Sequence, residues 1–314
     1  MNKQIYANIA LLTVAVIWGL TFTAQRVGME FLGPYTFNAV RAILGSISLI
    51  PVIILFKLMK KKKKASYSPQ KTKIRRIRLI QGGLACGIVL FLGMTLQQIG
   101  IIYTSAGKAG FITALYIVIV PILSFFYKHK ITVNVWISVI LAAFGLYLLC
   151  CKTDFTVAPA DLILIISALM FALHIMVINH YSPKVNPIKL SCAQFFVAGT
   201  LSIVPMLLFE QPTLHNVWLA KDAIIYSGFF ACGVAYTLQI AGQRNTSPVV
   251  ASLILSLESV FAVVGGFLIL HEVLSIRELA GCGFMITATI LSQLNFPTNK
   301  KAALNPADAE SKQG

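Results

Sequence analysis

Long apolar runs separated by short polar breaks dominate this chain. Ten of them, each about 20 residues, lie near residues 5–26, 34–57, 78–101, 105–127, 132–150, 159–180, 187–209, 221–243, 248–270 and 275–294. At a rise of ~1.5 Å per residue, a helix of that length crosses the ~30 Å hydrocarbon core of a bilayer. The pattern therefore predicts an all-α integral membrane protein with ten transmembrane helices, the fifth being the shortest. The connections are short, so no sizeable soluble domain is expected. After Asn295 the chain turns polar, with Pro297 and Pro306, and residues 295–314 are expected to form a disordered tail.

The ninth run is the most informative. From Val249 to Leu270 it holds a single ionisable residue, Glu258. Counted from Pro248, that residue lies roughly 15 Å along the helix axis, near the bilayer midplane. A carboxylate there costs about 2.5–3.5 kcal/mol on insertion scales, so it should face the protein interior or a wet cavity.

The sequence also repeats itself. Thr95-Leu96-Gln97, Gly100 and Thr104-Ser105 recur as Thr237-Leu238-Gln239, Gly242 and Thr246-Ser247, each displaced by 142 residues. In that register Tyr116 is the partner of Glu258. Nearer the start of each half, Pro34 and Arg41 match Pro187 and Gln194 at a displacement of 153, and Pro51 matches Pro205 at 154. A longer basic loop at 57–78 absorbs the difference. The first repeat is read as 1–150 and the second as 159–294. Each holds five helices, an odd number, so the second enters the membrane from the opposite side. Inverted repeats place a substrate site at their interface near the midplane, and rocking of the halves gives alternating access.

Composition agrees with this reading. The chain of 314 residues is 57% apolar and only 11% charged, with a mean hydropathy of +0.81, whereas soluble domains carry about 25% charged residues. The formal net charge of +16 suggests nucleic acid until its distribution is examined. With ten crossings, 20 of the 26 Lys and Arg collect on the side of the N-terminus, eleven of them between Lys57 and Arg78. That is the positive-inside pattern, and it predicts cytoplasmic termini in a plasma membrane such as a bacterial inner membrane. The Lys60–Lys64 run can also attract anionic lipid. The partners expected are a small-molecule substrate and the bilayer, with no nucleic acid. A complete ten-helix unit needs no second chain, so a monomer suffices.

The six cysteines form no CxxC pair and read as small packing residues. The first run ends at Gln25-Arg26 without an AxA pattern and reads as a retained helix, not a leader. Pro121 removes a backbone hydrogen bond within the fourth run and is a candidate kink.

Several polar and aromatic residues in the apolar runs are candidates for substrate binding. Glu258 is the foremost and the candidate for proton coupling, because apolar surroundings disfavour its charged form. Tyr116 can present its hydroxyl to a substrate or to Glu258. Gln97 and Gln239 are repeat-related amides, and Gln98 can take over that role on the same helix. Arg41, about 10 Å from the outer end of its helix, can bind a carboxylate in a bidentate way or brace the helix. Trp18, Phe22, Phe171 and Tyr236 offer stacking surfaces, Thr21 and Ser256 hydroxyls, and His174 a titratable ring in mid-helix. Lys108 is expected to snorkel to the interface. Each of these can instead be a packing residue. His271-Glu272 is not a zinc motif, since HExxH requires His where Ser275 stands.

Trp18-Gly19-Leu20-Thr21-Phe22, Tyr103-Thr104-Ser105-Ala106 and Leu257-Glu258-Ser259-Val260-Phe261 followed by His271-Glu272 resemble the drug/metabolite transporter superfamily in its EamA branch. The resemblance covers nearly the whole chain. It implies ten helices in two EamA repeats, cytoplasmic termini, and export or exchange of small metabolites such as amino acids. It also implies a central cavity lined by helices 1, 3, 4, 6, 8 and 9, with 5 and 10 as scaffold. Two positions depart from that pattern: Ser259 stands where the family often has Pro, and Lys128-His129-Lys130 where it often has Glu.

A secondary transporter, exporter or exchanger, is the function these observations favour. No Walker A motif is present to couple ATP directly, and no cofactor is called for. A membrane-embedded enzyme would need GxSxG, HExxH or paired intramembrane aspartates, which the chain lacks. A non-transporting scaffold leaves the polar midplane residues as an unexplained cost.

Overall fold

The computed structural model describes residues 3–60, 69–103, 106–127, 131–150, 159–270 and 275–294. The expected tail at 295–314, Lys128-His129-Lys130 and His271-Glu272 lie outside them, as does the side chain of Lys108. Among the described residues every element is helical. In chain order they are α1 (Lys3–Gly28), α2 (Pro34–Lys60), α3 (Pro69–Tyr103), α4 (Ala106–Ala114), α5 (Tyr116–Phe126), α6 (Val133–Cys150), α7 (Pro159–Tyr181), α8 (Pro187–Phe209), α9 (Leu214–Leu219) and α10 (Lys221–Ile225). A π-helical segment (Tyr226–Ala235) follows, then α11 (Tyr236–Gln243), α12 (Pro248–Leu255), α13 (Glu258–Leu270) and α14 (Ile276–Gln293).

Seven of these stretches are long and apolar enough to cross a membrane, and Val133–Leu149 and Pro248–Val264 are shorter apolar helices. The fourth and eighth runs are among the seven, as Ala109–Phe126 and Lys221–Gln243, while the fifth and ninth are the two shorter helices. The fourth and ninth runs are not continuous helices: one breaks at Leu115, the other at Ser256-Leu257. The break in the fourth falls six residues before Pro121, which sits inside an uninterrupted α5. In the ninth, the Ser252 and Ser256 hydroxyls donate to the carbonyls of Val249 and Leu253 at 2.8 and 2.9 Å, local bonds that compete with the helical ladder. The eighth run is also irregular, since its middle is a π helix.

Pairs of repeat-related helices pack antiparallel. Pro34 and Pro187 each open their helix, where a missing N–H costs nothing. The far end of α8 then meets the start of α2. The Glu210 carboxylate accepts from the Tyr35 and Thr36 amides at 2.9 and 2.7 Å and from the Thr36 hydroxyl at 2.5 Å. It satisfies orphan donors and matches the positive end of the α2 dipole. The partners α6 and α14 behave alike: Asn134, at the start of α6, donates to the Leu294 carbonyl at 2.8 Å, past the end of α14.

Close contacts repeat too. A Cβ on Gly242 would lie 2.8 Å from Leu11 Cγ, and one on Gly100 2.5 Å from Leu164 Cγ. The two glycines are 142 apart and the two leucines 153 apart, the displacements found in the sequence. The same contact is thus made twice, between α11 and α1 and between α3 and α7. The α6–α14 and α2–α8 pairs flank a centre built from α1, α3, α7, the 221–243 rod and the two broken helices.

Candidate functional site

A narrow cavity occupies that centre, with about 60 Å³ accessible to water centres, room for a few waters. Seventeen residues line it, among them eleven of the thirteen candidates: Trp18, Thr21, Phe22, Arg41, Gln97, Tyr116, Phe171, His174, Tyr236, Gln239 and Glu258. Gln98 and Ser256 do not line it. Gln98 follows Gln97 on a helix, so it points about 100° away; it is buried, with no hydrogen-bond partner for its amide among the described residues. The Ser256 hydroxyl is held by the Leu253 carbonyl in the helix break.

Gln25, Met94, Thr113, Ile175, Ala231 and Cys232 complete the lining. Three of these were within reach of sequence arithmetic. Gln25 extends the stripe Trp18, Thr21, Phe22 by one turn. Met94 is 142 residues before Tyr236, and Ile175 is 153 after Phe22. Trp18 with Phe171, Thr21 with His174, Gln97 with Gln239 and Tyr116 with Glu258 obey the same displacements. The cavity is therefore lined largely by matched pairs, one member from each half. Ala231 and Cys232 lie in the π segment, whose wider turn no helical periodicity would place.

Tyr116 and Glu258 are each the first residue after their helix break. The Tyr116 hydroxyl donates to Glu258 Oε1 at 3.1 Å, and both side chains are buried. Glu258 opens α13, where the helix dipole favours negative charge. At the other end of the polar inventory is Arg41, which α2 contributes although the resemblance implied no lining residue from helix 2. Its Nε donates to Asn38 Oδ1 at 3.0 Å and its guanidinium lies 5.2 Å from the Phe37 ring centroid. The residue is 3% exposed, and among the described residues no carboxylate pairs with it. The matching residue in the second half, Gln194, instead bonds His174 Nε2 at 3.1 Å.

Tyr236 organises the aromatic side. Its ring lies 4.7 Å from Trp18, 4.9 Å from Phe195 and 5.7 Å from His174, centroid to centroid. Two amides supply capacity for a guest: Gln25 Oε1 and Gln239 Oε1 are buried acceptors without partners among the described residues. Thr21 contributes less, since its hydroxyl already donates to the Ile17 carbonyl at 2.8 Å. No cluster of His, Cys, Asp or Glu that could hold a metal occurs among the described residues. A cavity with one guanidinium, one carboxyl group, amides and aromatic rings can bind a small polar organic molecule.

The EamA-like transporter family model matches residues 5–151 and 158–294, once in each half. An uncharacterized transporter of Archaeoglobus fulgidus is 31% identical over 293 residues, covering 93% of this chain and 87% of that protein. The uncharacterized transporter YoaV of Bacillus subtilis is 21% identical, covering 93% and 98%. Among solved structures, one crystal structure of a protein matches with a TM-score of 0.73 and 15% identity, over 92% of this chain and 98% of that one. That last likeness is one of fold.

Proposed function

This chain belongs to the EamA-like transporter family, and we propose that it is a secondary active transporter of small organic metabolites bearing a carboxylate, such as amino acids. The observation that carries the substrate class is Arg41: a buried guanidinium on the cavity wall without a carboxylate partner among the described residues. A cation in that setting is costly alone, and a bidentate carboxylate compensates it. Gln25 and Gln239 supply acceptors for the substrate's donors, and the Trp18–Tyr236 pair packs against its apolar part.

Transport proceeds by alternating access. The present chamber is too narrow for such a solute without movement, and the antiparallel halves rock about it. Glu258 carries the coupling proton. Tyr116 holds one of its oxygens, so binding and release of that proton change a contact between the two halves. Ten crossings, with the broken fourth and ninth runs each crossing once, put both termini on the cytoplasmic side of the plasma membrane, where most Lys and Arg collect. Direction is outward or by exchange.

The test is counterflow in liposomes. Purified protein is reconstituted with a panel of labelled amino acids, nucleosides and cationic drugs, with and without a pH gradient. Counterflow of carboxylate-bearing solutes supports the proposal; counterflow confined to cations or nucleosides overturns it.

A further inference from the structure

A second and much larger cavity lies apart from the central one. It has about 670 Å³ accessible to water centres and opens on the face where α1 begins. Four separate stretches build it: the end of α2, the first turns of α3, the turn between α7 and α8, and Arg244 just after α11. They bring together Lys57, Arg76, Lys184, Lys189 and Arg244, with Arg75 alongside, and no Asp or Glu is among the described lining residues. An orientation signal needs only that basic residues lie on one side of the membrane; it does not need them to converge on one concavity. Convergence of Lys57, Arg76, Lys184, Lys189 and Arg244 on one concavity raises the local positive potential, which an anion between them relieves.

The rest of the lining tells which anion. Ile53, Phe56 and Leu79, from the membrane-spanning parts of α2 and α3, form an apolar wall beside the charges. Phe56 is exposed, so the wall offers surface for an acyl chain. Lys184 is already oriented: its Nζ lies 2.6 Å from His180 Nε2 and 5.7 Å from the Tyr181 ring centroid. The α8 helix starts at Pro187, in the lining, with Asn186 as its N-cap, so the positive end of a long helix dipole also faces the groove.

We infer that this groove binds a phosphate-bearing anion, and that its apolar wall selects a phospholipid with an anionic headgroup over free phosphate. The first half supplies α2 and α3, the second the α7–α8 turn and Arg244, so a bound lipid bridges the two halves on this face.

The test uses the full-length protein, delipidated in a non-ionic detergent. Native mass spectrometry and thermal stability are followed while phosphatidylglycerol, phosphatidylcholine or inorganic phosphate is added. Two charge-matched variants are compared, Arg76→Gln with Lys189→Gln in the groove, and Lys3→Gln with Lys73→Gln outside it. Phosphatidylglycerol should bind the wild type and the outside variant alike, and the groove variant on the order of thirtyfold more weakly. If the double groove variant does not fold, the single changes should each weaken binding about fivefold. Equal binding of phosphatidylcholine, phosphatidylglycerol binding unchanged in the groove variants, an equal loss in the outside variant, or phosphate binding as tightly as the lipid would each overturn the inference.

Discussion

The Tyr116 hydroxyl and Glu258 Oε1 meet at 3.1 Å across the centre of the molecule, and they are the same position in the two halves. A contact between equivalent residues lies on the axis that relates the halves. Each follows the interruption of its helix, at Leu115 and at Ser256-Leu257. The bond joins the two halves directly at the cavity, which makes it the place to test the mechanism first.

Glu258→Gln keeps the size of the side chain and an acceptor for Tyr116 but cannot release a proton. Transport in liposomes should fall at least tenfold with protein level and elution profile unchanged, and the residual flux should ignore an imposed pH gradient. Full, gradient-driven transport by this variant would remove Glu258 from the coupling step.

Tyr116→Phe deletes the hydroxyl alone. It leaves a buried carboxyl oxygen short of a donor, at a cost of about 1–3 kcal/mol. A drop in melting temperature is expected, together with a changed pH profile of transport. An unchanged profile would make the bond a packing feature only.

Arg41→Lys retains charge but loses the planar fork that grips both oxygens of a carboxylate. The KM for a carboxylate-bearing substrate should rise about tenfold, in line with the ~1.5–3 kcal/mol of a charge-assisted bond, while kcat changes less. Equal loss for substrates lacking a carboxylate would show that Arg41 braces α2 instead.

Gly19 lets α1 lie directly on α13. A Cβ there would sit 2.7 Å from the Glu258 carbonyl oxygen and 2.8 Å from the Ala262 nitrogen. Gly19→Ala should cost about 1–3 kcal/mol by overpacking and lower the melting temperature. Gly110→Ala is the comparison, because only Phe22 Cζ lies near, at 3.9 Å, and alanine favours the helix.

Glu210→Gln removes the charge at the start of α2. It should lower stability by about 0.5–2 kcal/mol, read as a shift in melting temperature, and leave the KM unchanged, because the residue lies away from the cavity.

The displacements of 142 and 153 in the sequence were enough to pair Gln97 with Gln239 and Tyr116 with Glu258, and to indicate that these pairs share an environment. The spacing of Trp18, Thr21 and Phe22 puts them on one face of any helix that holds them. These features are local or repeat-derived, and a helix carries them wherever it packs. Gln98 shows where this fails: an adjacent residue with the same chemistry faces elsewhere, and only the neighbouring helices decide which of two amides meets the cavity.

The chain's apolar runs, its scarcity of charge and its internal repeat already determined that it is a helical membrane protein with two related halves, because the bilayer rewards unbroken apolar length and a shared origin leaves matching residues. Tertiary structure alone decided that two of those runs break at equivalent points, that a third relaxes into a π helix, that Arg41 reaches the cavity without a carboxylate partner among the described residues, and that Glu210 closes the end of α2. Each of these depends on what a neighbouring helix offers at that height, and hydropathy along one strand of sequence does not encode it.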